Sequence, residues 1–305
     1  MNQRPLVIAT RESALALWQA RFVQQSLASL GIDSELLPLT TRGDQIIDRP
    51  LQAIGGKGLF IKELEVALLN GDADLAAHSM KDMPAEMADP FQLAAFCEAA
   101  DPRDALVSND YDSLDELPTG ARVGTSSLRR QCQLLTKRPD LDIQPLRGNV
   151  NTRLSKLDQG DFDAIILACA GLDRLQLTDR IKQRLPVETL LPAVSQGIVG
   201  IEIRADDERT FELIQPLNHA VTARRVTAER AVNAKLGGSC QTPIAIYAEE
   251  FDGQLTVKAL VGSADGRSVL TEQETDAAKN AQALGTRVAE NLLARGAAEF
   301  LVTDE

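Results

Sequence analysis

The chain has 305 residues, of which 44% are hydrophobic and 25% are charged, a composition typical of a globular protein with room for two or three domains. The net charge of −12 argues against nonspecific nucleic-acid binding, and four cysteines without a CxxC pair are too few for a disulfide scaffold. No apolar run approaches the roughly 18 residues of a membrane span.

Strands and helices alternate through the first two-thirds of the chain. In the first segment, the apolar patterns predict strands at 6–9, 35–39 and 74–77, helices at 13–30 and 61–69, and a mobile loop over 42–58. A second segment repeats the alternation, with strands at 122–124, 142–146 and 164–168 and helices at 126–137 and 150–159. This order predicts an α/β fold with open, mostly parallel sheets, in which ligands bind beyond the carboxyl ends of the strands.

The last part of the chain has a different pattern. Its predicted elements are a helix over 222–235, strands at 244–248, 255–262 and 268–274, and a closing helix over 277–294. Asp252-Gly253 and Asp265-Gly266 separate the strands and predict hairpin turns. We therefore expect a small α+β domain at the C-terminal end.

Cys240 is the cysteine with a turn context. It lies in Gly237-Gly238-Ser239-Cys240-Gln241-Thr242-Pro243, between a predicted helix and a predicted strand, where a reagent, a metal or a covalent cofactor can reach the thiol. Of the others, Cys169 fits a buried strand, Cys132 fits a helical core stripe, and Cys97 is ambiguous. The sequence has two histidines and no Cys/His cluster, HExxH, GxGxxG or phosphate-loop pattern, so we expect neither a metal nor a nucleotide.

Arginines and hydroxyls recur where predicted strands end. The five junctions are at 9–13, 76–84, 123–130, 146–153 and 168–174. The free N–H groups of a helix start and the paired donors of a guanidinium both favour anions, so a polycarboxylated ligand is the simplest common cause. Lys81 and Asp82 could bind a charged ligand and shuttle a proton. The alternative for each charged residue alone is a surface ion pair.

These junctions carry a resemblance to the porphobilinogen deaminase family that runs nearly end to end. The matching segments are Ile8-Ala9-Thr10-Arg11, Thr41-Arg42-Gly43-Asp44, Gly55-Gly56-Lys57-Gly58-Leu59-Phe60, His78-Ser79-Met80-Lys81-Asp82, Gly124-Thr125-Ser126-Ser127-Leu128-Arg129-Arg130, Arg147-Gly148-Asn149 and Leu236-Gly237-Gly238-Ser239-Cys240-Gln241-Thr242-Pro243. The resemblance implies a transferase of tetrapyrrole biosynthesis that joins four porphobilinogen molecules head to tail with release of ammonia.

The resemblance also implies a fold. Two α/β domains would be similar to type II periplasmic binding proteins, and a small α+β domain would follow them. The first domain would cover 1–98 and 196–217, with a strand near 199–204, the second 99–195, and the third 218–305.

By the same resemblance, Cys240 would carry a dipyrromethane cofactor through a thioether. Asp82 would protonate the leaving amine, stabilise the resulting cation and help to deprotonate the pyrrole. The other cofactor contacts would be Ser79, Lys81, Thr125, Ser127, Arg129, Arg130, Arg147 and Gly148. The substrate contacts would be Arg11, Ser13, Lys57, Phe60, Ser126, Arg153, Arg174 and Gln196. Some relatives carry a lysine where this chain has Gln52. The absence of that positive charge would weaken anion binding by the loop in this chain.

Two other interpretations fit parts of the sequence. Paired α/β lobes with arginines also suit a cytoplasmic solute-binding or sensor module for a polycarboxylate. A cysteine enzyme with a transient Cys240 nucleophile would need a base, and His219 is the nearest histidine along the chain. The first residues do not read as a signal peptide, so we expect a cytoplasmic protein. The resemblance implies a monomer that acts on a small molecule, and the charge and the apolar runs predict no nucleic-acid or membrane partner.

Overall fold

The computed structural model describes residues 4–45, 60–239 and 242–301. They divide into two compact units, the first formed by Met1–Ala99 and Ile198–Ala223 and the second by Ala100–Gly197 and Arg224–Glu305. None of the helices within the described ranges is long and apolar enough to cross a membrane.

The strands and helices are numbered in chain order. The strands are β1 (Leu6–Arg11), β2 (Ser34–Leu39), β3 (Leu75–Ser79), β4 (Phe91–Phe96), β5 (Asp104–Val107), β6 (Arg122–Gly124), β7 (Asp142–Gln144), β8 (Ala164–Ala168), β9 (Gln183–Leu185), β10 (Val199–Arg204), β11 (Ile244–Phe251), β12 (Gln254–Gly262) and β13 (Val269–Ala277). The α-helices are α1 (Ala14–Ser29), α2 (Arg42–Gln45), α3 (Lys62–Asn70), α4 (Leu128–Lys137), α5 (Val150–Asp158), α6 (Cys169–Arg174), α7 (Glu208–Ile214), α8 (Ala220–Lys235) and α9 (Ala281–Ala294).

The first unit is built on a five-stranded sheet in the order β2-β1-β3-β10-β4. β1 runs parallel to β2 and β3, whereas β10 runs antiparallel to both of its neighbours. Alternate residues of β1 enter different cores, because Ile8 packs in the cluster that holds Val23 of α1, and Ala9 packs in the cluster that holds Leu64 of α3. Helices therefore cover both faces of this sheet.

The second unit contains a five-stranded sheet of the same design, in the order β7-β6-β8-β5-β9. β6 is parallel to β7 and β8, and β5 is antiparallel to β8 and β9. Ile166 packs with Leu134 of α4, while its neighbour Ile165 packs with Leu154 of α5 on the other face. The predicted α/β fold with mostly parallel sheets is confirmed.

The second unit also contains the predicted α+β portion. Its antiparallel sheet has the order β11-β12-β13, and Val232 of α8 and Val288 of α9 share its core. Asp252 and Gly253 form the tight β11–β12 turn, with φ values of 48° and 70° that suit a type I′ turn.

The other predicted hairpin turn is wrong in detail. Strand pairing between β12 and β13 stops at Gly262 and Val269, so Asp265 and Gly266 lie in a six-residue loop, 263–268, rather than forming a two-residue turn. This loop closes on itself, because the Ser263 N–H donates to the Ser268 carbonyl at 2.8 Å and the Ser263 hydroxyl donates to Asp265 at 2.6 Å.

The cysteines require one further correction. Cys169 is buried as predicted, but it is the first residue of α6 rather than part of β8, which ends at Ala168. Cys132 is fully buried on α4, as its helical stripe predicted, and Cys97 is also buried. Burial raises the pKa of the Cys169 thiol to about 12 and that of the Cys132 thiol to about 11, so both stay protonated at neutral pH.

Candidate active site

A small cavity lies at the carboxyl ends of β1 and β3 in the first unit. Its volume is about 60 Å³. Because β1 and β3 are parallel neighbours, the residues that follow them meet at one edge of the sheet. The cavity thereby brings together five of the predicted site residues, Arg11, Ser13, Phe60, Ser79 and Asp82, and its wall also includes Gln19 and His78.

Local contacts fix the polar groups of this cavity. The Gln19 amide of α1 donates to the Ser79 hydroxyl at 2.7 Å. The Arg11 guanidinium lies over the Phe60 ring, 4.3 Å from its centroid, so an aromatic face stabilises the cation. Ser13 caps α1 by accepting a hydrogen bond from the Ala16 N–H at 3.4 Å. A cation and two hydroxyls therefore border one carboxylate-sized space.

Asp82 ends a short 3₁₀ turn that begins directly after β3. Met80 holds this turn in place, since its side chain is buried and its N–H donates to the Ile198 carbonyl at 3.0 Å. Lys81 is half-buried, whereas Asp82 is exposed at the cavity wall. An exposed carboxylate on an anchored turn can exchange protons with solvent and still keep its position.

The second unit presents a helix N-terminus at the end of β6. Ser127 caps α4 by accepting from the Arg130 N–H at 3.4 Å, and the buried Thr125 hydroxyl accepts from the Ser127 N–H at 3.2 Å. Ser126 is exposed, but its hydroxyl both donates to the Leu146 carbonyl at 2.9 Å and accepts from the Leu146 N–H. These hydroxyls organise the turn itself, and the positive end of the helix dipole remains to attract anions.

Arg129 and Arg130 of α4 are buried around one carboxylate. Asp104, at the start of β5, is fully buried and accepts from Arg129 Nη2 at 2.7 Å and from Arg130 Nη2 at 2.6 Å. Burial alone would raise the pKa of Asp104, but the charges and hydrogen bonds of the two arginines outweigh it and hold that pKa well below its usual range. The group therefore carries one net positive charge inside the unit.

A surface ion pair is the sequence-based alternative for each of these arginines. The structure shows instead that both arginines and Asp104 are buried. The Nη1 atoms of the two arginines donate to backbone, Arg129 Nη1 to the Leu191 carbonyl at 2.6 Å and Arg130 Nη1 to the Ile166 carbonyl at 2.8 Å, and Arg130 Nε donates to Asp104 at 3.1 Å. Arg129 Nε is buried without a hydrogen-bond partner in the described parts of the chain. That donor is available to an anion.

Gln196 belongs to the same network. Its amide nitrogen donates to the Pro102 carbonyl at 2.6 Å and to Asp104 at 3.1 Å, and the side chain is almost fully buried. Within the described ranges its amide oxygen has no partner.

The other predicted arginines of the second unit follow β7 and β8. Arg153 Nε donates to the Gly148 carbonyl at 2.7 Å, and Gly148 has φ +108°, where a side chain would be strained. Arg174 Nη2 donates to the Gly197 carbonyl at 2.7 Å. The buried Arg147 Nε has no partner among the residues described. Backbone carbonyls thus help to hold two guanidinium groups near the strand ends.

Several sequence-predicted residues lie outside the described residues. These are Cys240, Lys57, Gln52 and most of the predicted loop over 42–58, of which only Arg42–Gln45 is described, as α2. On either side of the cysteine, Ser239 and Thr242 bond to each other, with the Ser239 N–H donating to the Thr242 hydroxyl at 3.0 Å and that hydroxyl donating to the Ser239 carbonyl at 2.8 Å.

Sequence reasoning missed the partners that hold these site residues. Asp104, Gln19 and Glu202 each make a buried or half-buried contact with a residue of the site or its wall. A lone carboxylate or amide within an apolar segment has no distinctive spacing, so only the three-dimensional pairing reveals its role. Among the described residues, no group of three or more His, Cys, Asp or Glu side chains could hold a metal ion.

Two five-stranded α/β sheets of one design and a three-stranded α+β portion together define a protein of the mixed α/β class. Residues 6–212 match the family model described as porphobilinogen deaminase, dipyromethane cofactor binding domain, and residues 223–294 match its C-terminal domain. The chain belongs to the porphobilinogen deaminase family, whose members act in tetrapyrrole synthesis. This confirms the resemblance and does not favour the solute-binding alternative.

The family match also confirms the predicted cofactor as dipyrromethane. Each pyrrole ring of this group carries an acetate and a propionate, so its binding site needs several anion donors. The helix N-terminus of α4 and the buried, unpartnered Nε atoms of Arg129 and Arg147 have that chemistry. The residues of the second unit therefore fit the group.

Solved structures with a similar fold are periplasmic or lipoprotein binding proteins. A periplasmic substrate-binding protein of an ABC transporter from Coxiella burnetii is 14% identical, with 72% of this chain and 94% of that chain covered and a TM-score of 0.46. A putative methionine-binding lipoprotein from Bacillus subtilis is 12% identical, with 72% and 92% covered and a TM-score of 0.45. These likenesses concern the fold alone.

Proposed function

We propose that this chain is a hydroxymethylbilane synthase, which joins four porphobilinogen molecules head to tail with release of ammonia, after which water cleaves the linear tetrapyrrole from the enzyme. The observation that supports this best is the cavity that gathers Arg11, Ser79 and Asp82, in a chain of the porphobilinogen deaminase family. It combines a proton-transfer group with cationic and hydroxyl donors for a carboxylated pyrrole.

In this proposal Asp82 is the catalytic acid and base. It gives a proton to the aminomethyl nitrogen of porphobilinogen, so that ammonia leaves and a resonance-stabilised cation forms. The resulting carboxylate then stabilises this cation and helps to remove the proton of the attacked pyrrole carbon, which restores the acid. Its position on an anchored and exposed turn supports this cycle.

Substrate carboxylates are assigned to the cations and hydroxyls of the first unit and to several residues of the second. The assigned residues are Arg11, Ser13, Lys57, Phe60, Ser126, Arg153, Arg174 and Gln196. The Arg11–Phe60 contact supports this, because an aromatic ring beneath a guanidinium stabilises the cation and fixes its plane beside the cavity.

We assign the dipyrromethane to a thioether at Cys240, with its carboxylates near Ser79, Lys81, Asp82, Thr125, Ser127, Arg129, Arg130, Arg147 and Gly148. When bound, this group supplies the nucleophilic pyrrole carbon to which the first substrate is joined. Arg129 and Arg130 contribute positive charge on a rigid helix, with Asp104 holding their orientation.

The proposal keeps the domain division of 1–98 with 196–217, 99–195 and 218–305. The separate hydrophobic clusters around the β5–β9 sheet and the β11–β13 sheet support the last boundary. A cytoplasmic location and a monomeric state belong to the same proposal, and light scattering of the purified protein measures the second.

The decisive experiment is the intact mass of the purified protein beside that of Cys240→Ala, followed by peptide mapping and a porphobilinogen assay. We expect an added mass of two linked pyrroles on the Cys240 peptide, absent from the variant, and four ammonia molecules released for each tetrapyrrole formed. An unmodified chain that stays unmodified and inert after incubation with porphobilinogen would contradict the proposal.

A further inference from the structure

A buried imidazole–carboxylate pair lies behind the cavity of the first unit. His78 Nε2 of β3 is 2.7 Å from Glu202 Oε2 of β10, and the two side chains are 5% and 0% exposed. Ionisable groups inside a sheet are costly unless they are paired, and one oxygen of Glu202 remains without a partner within the described chain. An apolar pair would fill these strand positions at a lower cost in stability.

His78 is also one of the residues that line the cavity. The same cavity is bordered by Asp82 and Ser79. With Glu202 ionised, Nε2 is the nitrogen that donates to it, and Nδ1 makes no hydrogen bond within the described residues. Nδ1 is therefore the ring nitrogen that remains able to accept a proton.

Charged groups from several elements lie near the His78 ring or line the same cavity. Glu202 contacts it from β10, and Arg11 and Asp82 line the same cavity from the ends of β1 and β3. Glu65 of α3 also interacts with the pair, and its pKa is raised, first by burial and then by the charge of Glu202. The arrangement of a carboxylate that orients an imidazole towards a reacting group is that of proton-transfer sites in general.

The proposed reaction moves two protons at each addition, one onto the departing amine and one off the attacked pyrrole carbon. We propose that His78, oriented by Glu202, is a second proton-transfer residue of this site. As the carbon–carbon bond forms, the pyrrole carbon loses its proton to His78 Nδ1, while Asp82 has given its own proton to the ammonia that leaves. The proton then passes from His78 to Asp82, and both groups return to their starting states. Glu202 is a positioning residue in this scheme, which rests on the proposed function.

The first test is independent of turnover. The chain contains two histidines, so nitrogen-15 NMR of the wild type beside His219→Asn assigns the His78 ring without ambiguity. We expect the neutral ring to carry its proton on Nε2 and to leave Nδ1 bare, and we expect Glu202→Gln to weaken that preference. A neutral His78 ring protonated on Nδ1 would overturn the proposal.

The second test measures kinetics. His78→Gln can still bond to Glu202 but cannot take up a proton, so we expect kcat to fall about 100-fold or more with KM nearly unchanged. Added imidazole should restore part of the activity of His78→Ala and none of the activity of Asp82→Ala. Glu65→Gln, a nearby carboxylate outside the proton path, is the matched control and should keep wild-type kcat.

Each outcome has a distinct meaning. An active wild type with an equally active His78→Gln would overturn the role of His78 alone. The role of His78 would also be overturned if His78→Ala lost activity, melted at a lower temperature and was not rescued by imidazole. The His78–Glu202 pair would then be structural. A wild type that releases no ammonia from porphobilinogen would instead overturn the proposed function, and this role with it.

Discussion

Single residues in this protein act through partners that lie far away along the chain. Arg129 and Arg130 would be ordinary solvated arginines if Asp104, 25 and 26 residues earlier, did not bind both. Glu202 reaches His78 across 124 residues. The buried charges of the triad are tolerated because opposite charges and hydrogen bonds replace the lost water, and a hydrogen bond to His78 replaces part of the lost water of Glu202. The same contacts hold a guanidinium or an imidazole in one orientation.

Replacement of Asp82 tests the catalytic assignment. Because Asp82 is exposed and its carboxylate is assigned to proton transfer, Asp82→Asn should lower kcat by about 10² to 10⁴ while the melting temperature stays unchanged. Steady-state ammonia release and a thermal melt measure the two effects. Glu86→Gln, an exposed carboxylate nearby, is the control and should behave like the wild type. Near-normal turnover of Asp82→Asn would remove Asp82 from the mechanism.

Replacement of Asp104 tests the buried ion triad. Asp104→Asn leaves two buried guanidinium groups without a counter-charge, so we expect a loss of about 3–5 kcal/mol in the free energy of unfolding. Urea unfolding measures it. Asp163→Asn is the matched control, since it weakens the half-exposed Asp163–Arg122 pair and should lower the free energy of unfolding much less than Asp104→Asn does. Equal losses of unfolding free energy in the two variants would show that the buried triad stabilises the fold no more than a surface ion pair does.

At the scale of elements, the repeated unit is a strand followed by a capped helix. Ser13 caps α1, Ser127 caps α4 and Asn149 caps α5, each through a side-chain oxygen that accepts from a first-turn N–H. The cap fixes where the helix begins, and thereby where the arginines of the first turn lie. This explains why hydroxyls and arginines occur together at the strand ends.

The cap of α5 gives a prediction at this scale. The Asn149 side chain accepts from the Thr152 N–H at 3.0 Å and from the Thr152 hydroxyl at 3.1 Å. Asn149→Ala should therefore lower the free energy of unfolding by about 1 kcal/mol. Asn151→Ala, at an exposed position of the same helix, should change it by less than half as much. Chemical denaturation of both variants measures the difference, and a neutral Asn149→Ala would contradict the capping role.

At the scale of the whole molecule, Glu229 of α8 is a buried carboxyl group that contacts segments far apart along the chain. It is almost fully buried and accepts from the Ser195 N–H at 2.5 Å and from the Ala248 N–H at 2.8 Å. Burial raises its pKa to about 7, against the opposing charge of Arg225. One carboxyl group thus joins a helix, a strand of the C-terminal sheet and the segment that precedes β10.

This raised pKa makes the stability depend on pH. The folded protein holds a proton on Glu229 that the unfolded chain has already released, so the contribution of Glu229 is fully present below pH 4.5 and is lost as the pH rises through about 7. The expected loss is about 3 kcal/mol. Glu229→Gln should flatten the stability curve between these pH values, whereas Glu212→Gln, an exposed control, should not. Urea unfolding from pH 4.5 to 8 measures both, and parallel curves for Glu229→Gln and the wild type would contradict the argument.

The sequence by itself determined the α/β alternation, the C-terminal α+β portion, the cationic strand ends and the family. These features are local, because the residues that form an apolar period, a helix cap or a turn lie within a few positions of one another in the sequence. It overlooked β4, β5, β9 and α7. β5 and β9 are four and three residues long, so their apolar residues show little periodicity.

Only the tertiary structure decided which buried polar groups meet. The antiparallel placement of β10 beside β3 brings Glu202 to His78, and the placement of β5 beside β8 brings Asp104 to the arginines of α4. Strand order in a sheet is fixed by the packing of the whole chain. The sequence around a single Asp or Glu does not identify the residue with which its carboxylate will pair. That is why the charged groups at the strand ends could be predicted, and the buried residues that orient them could not.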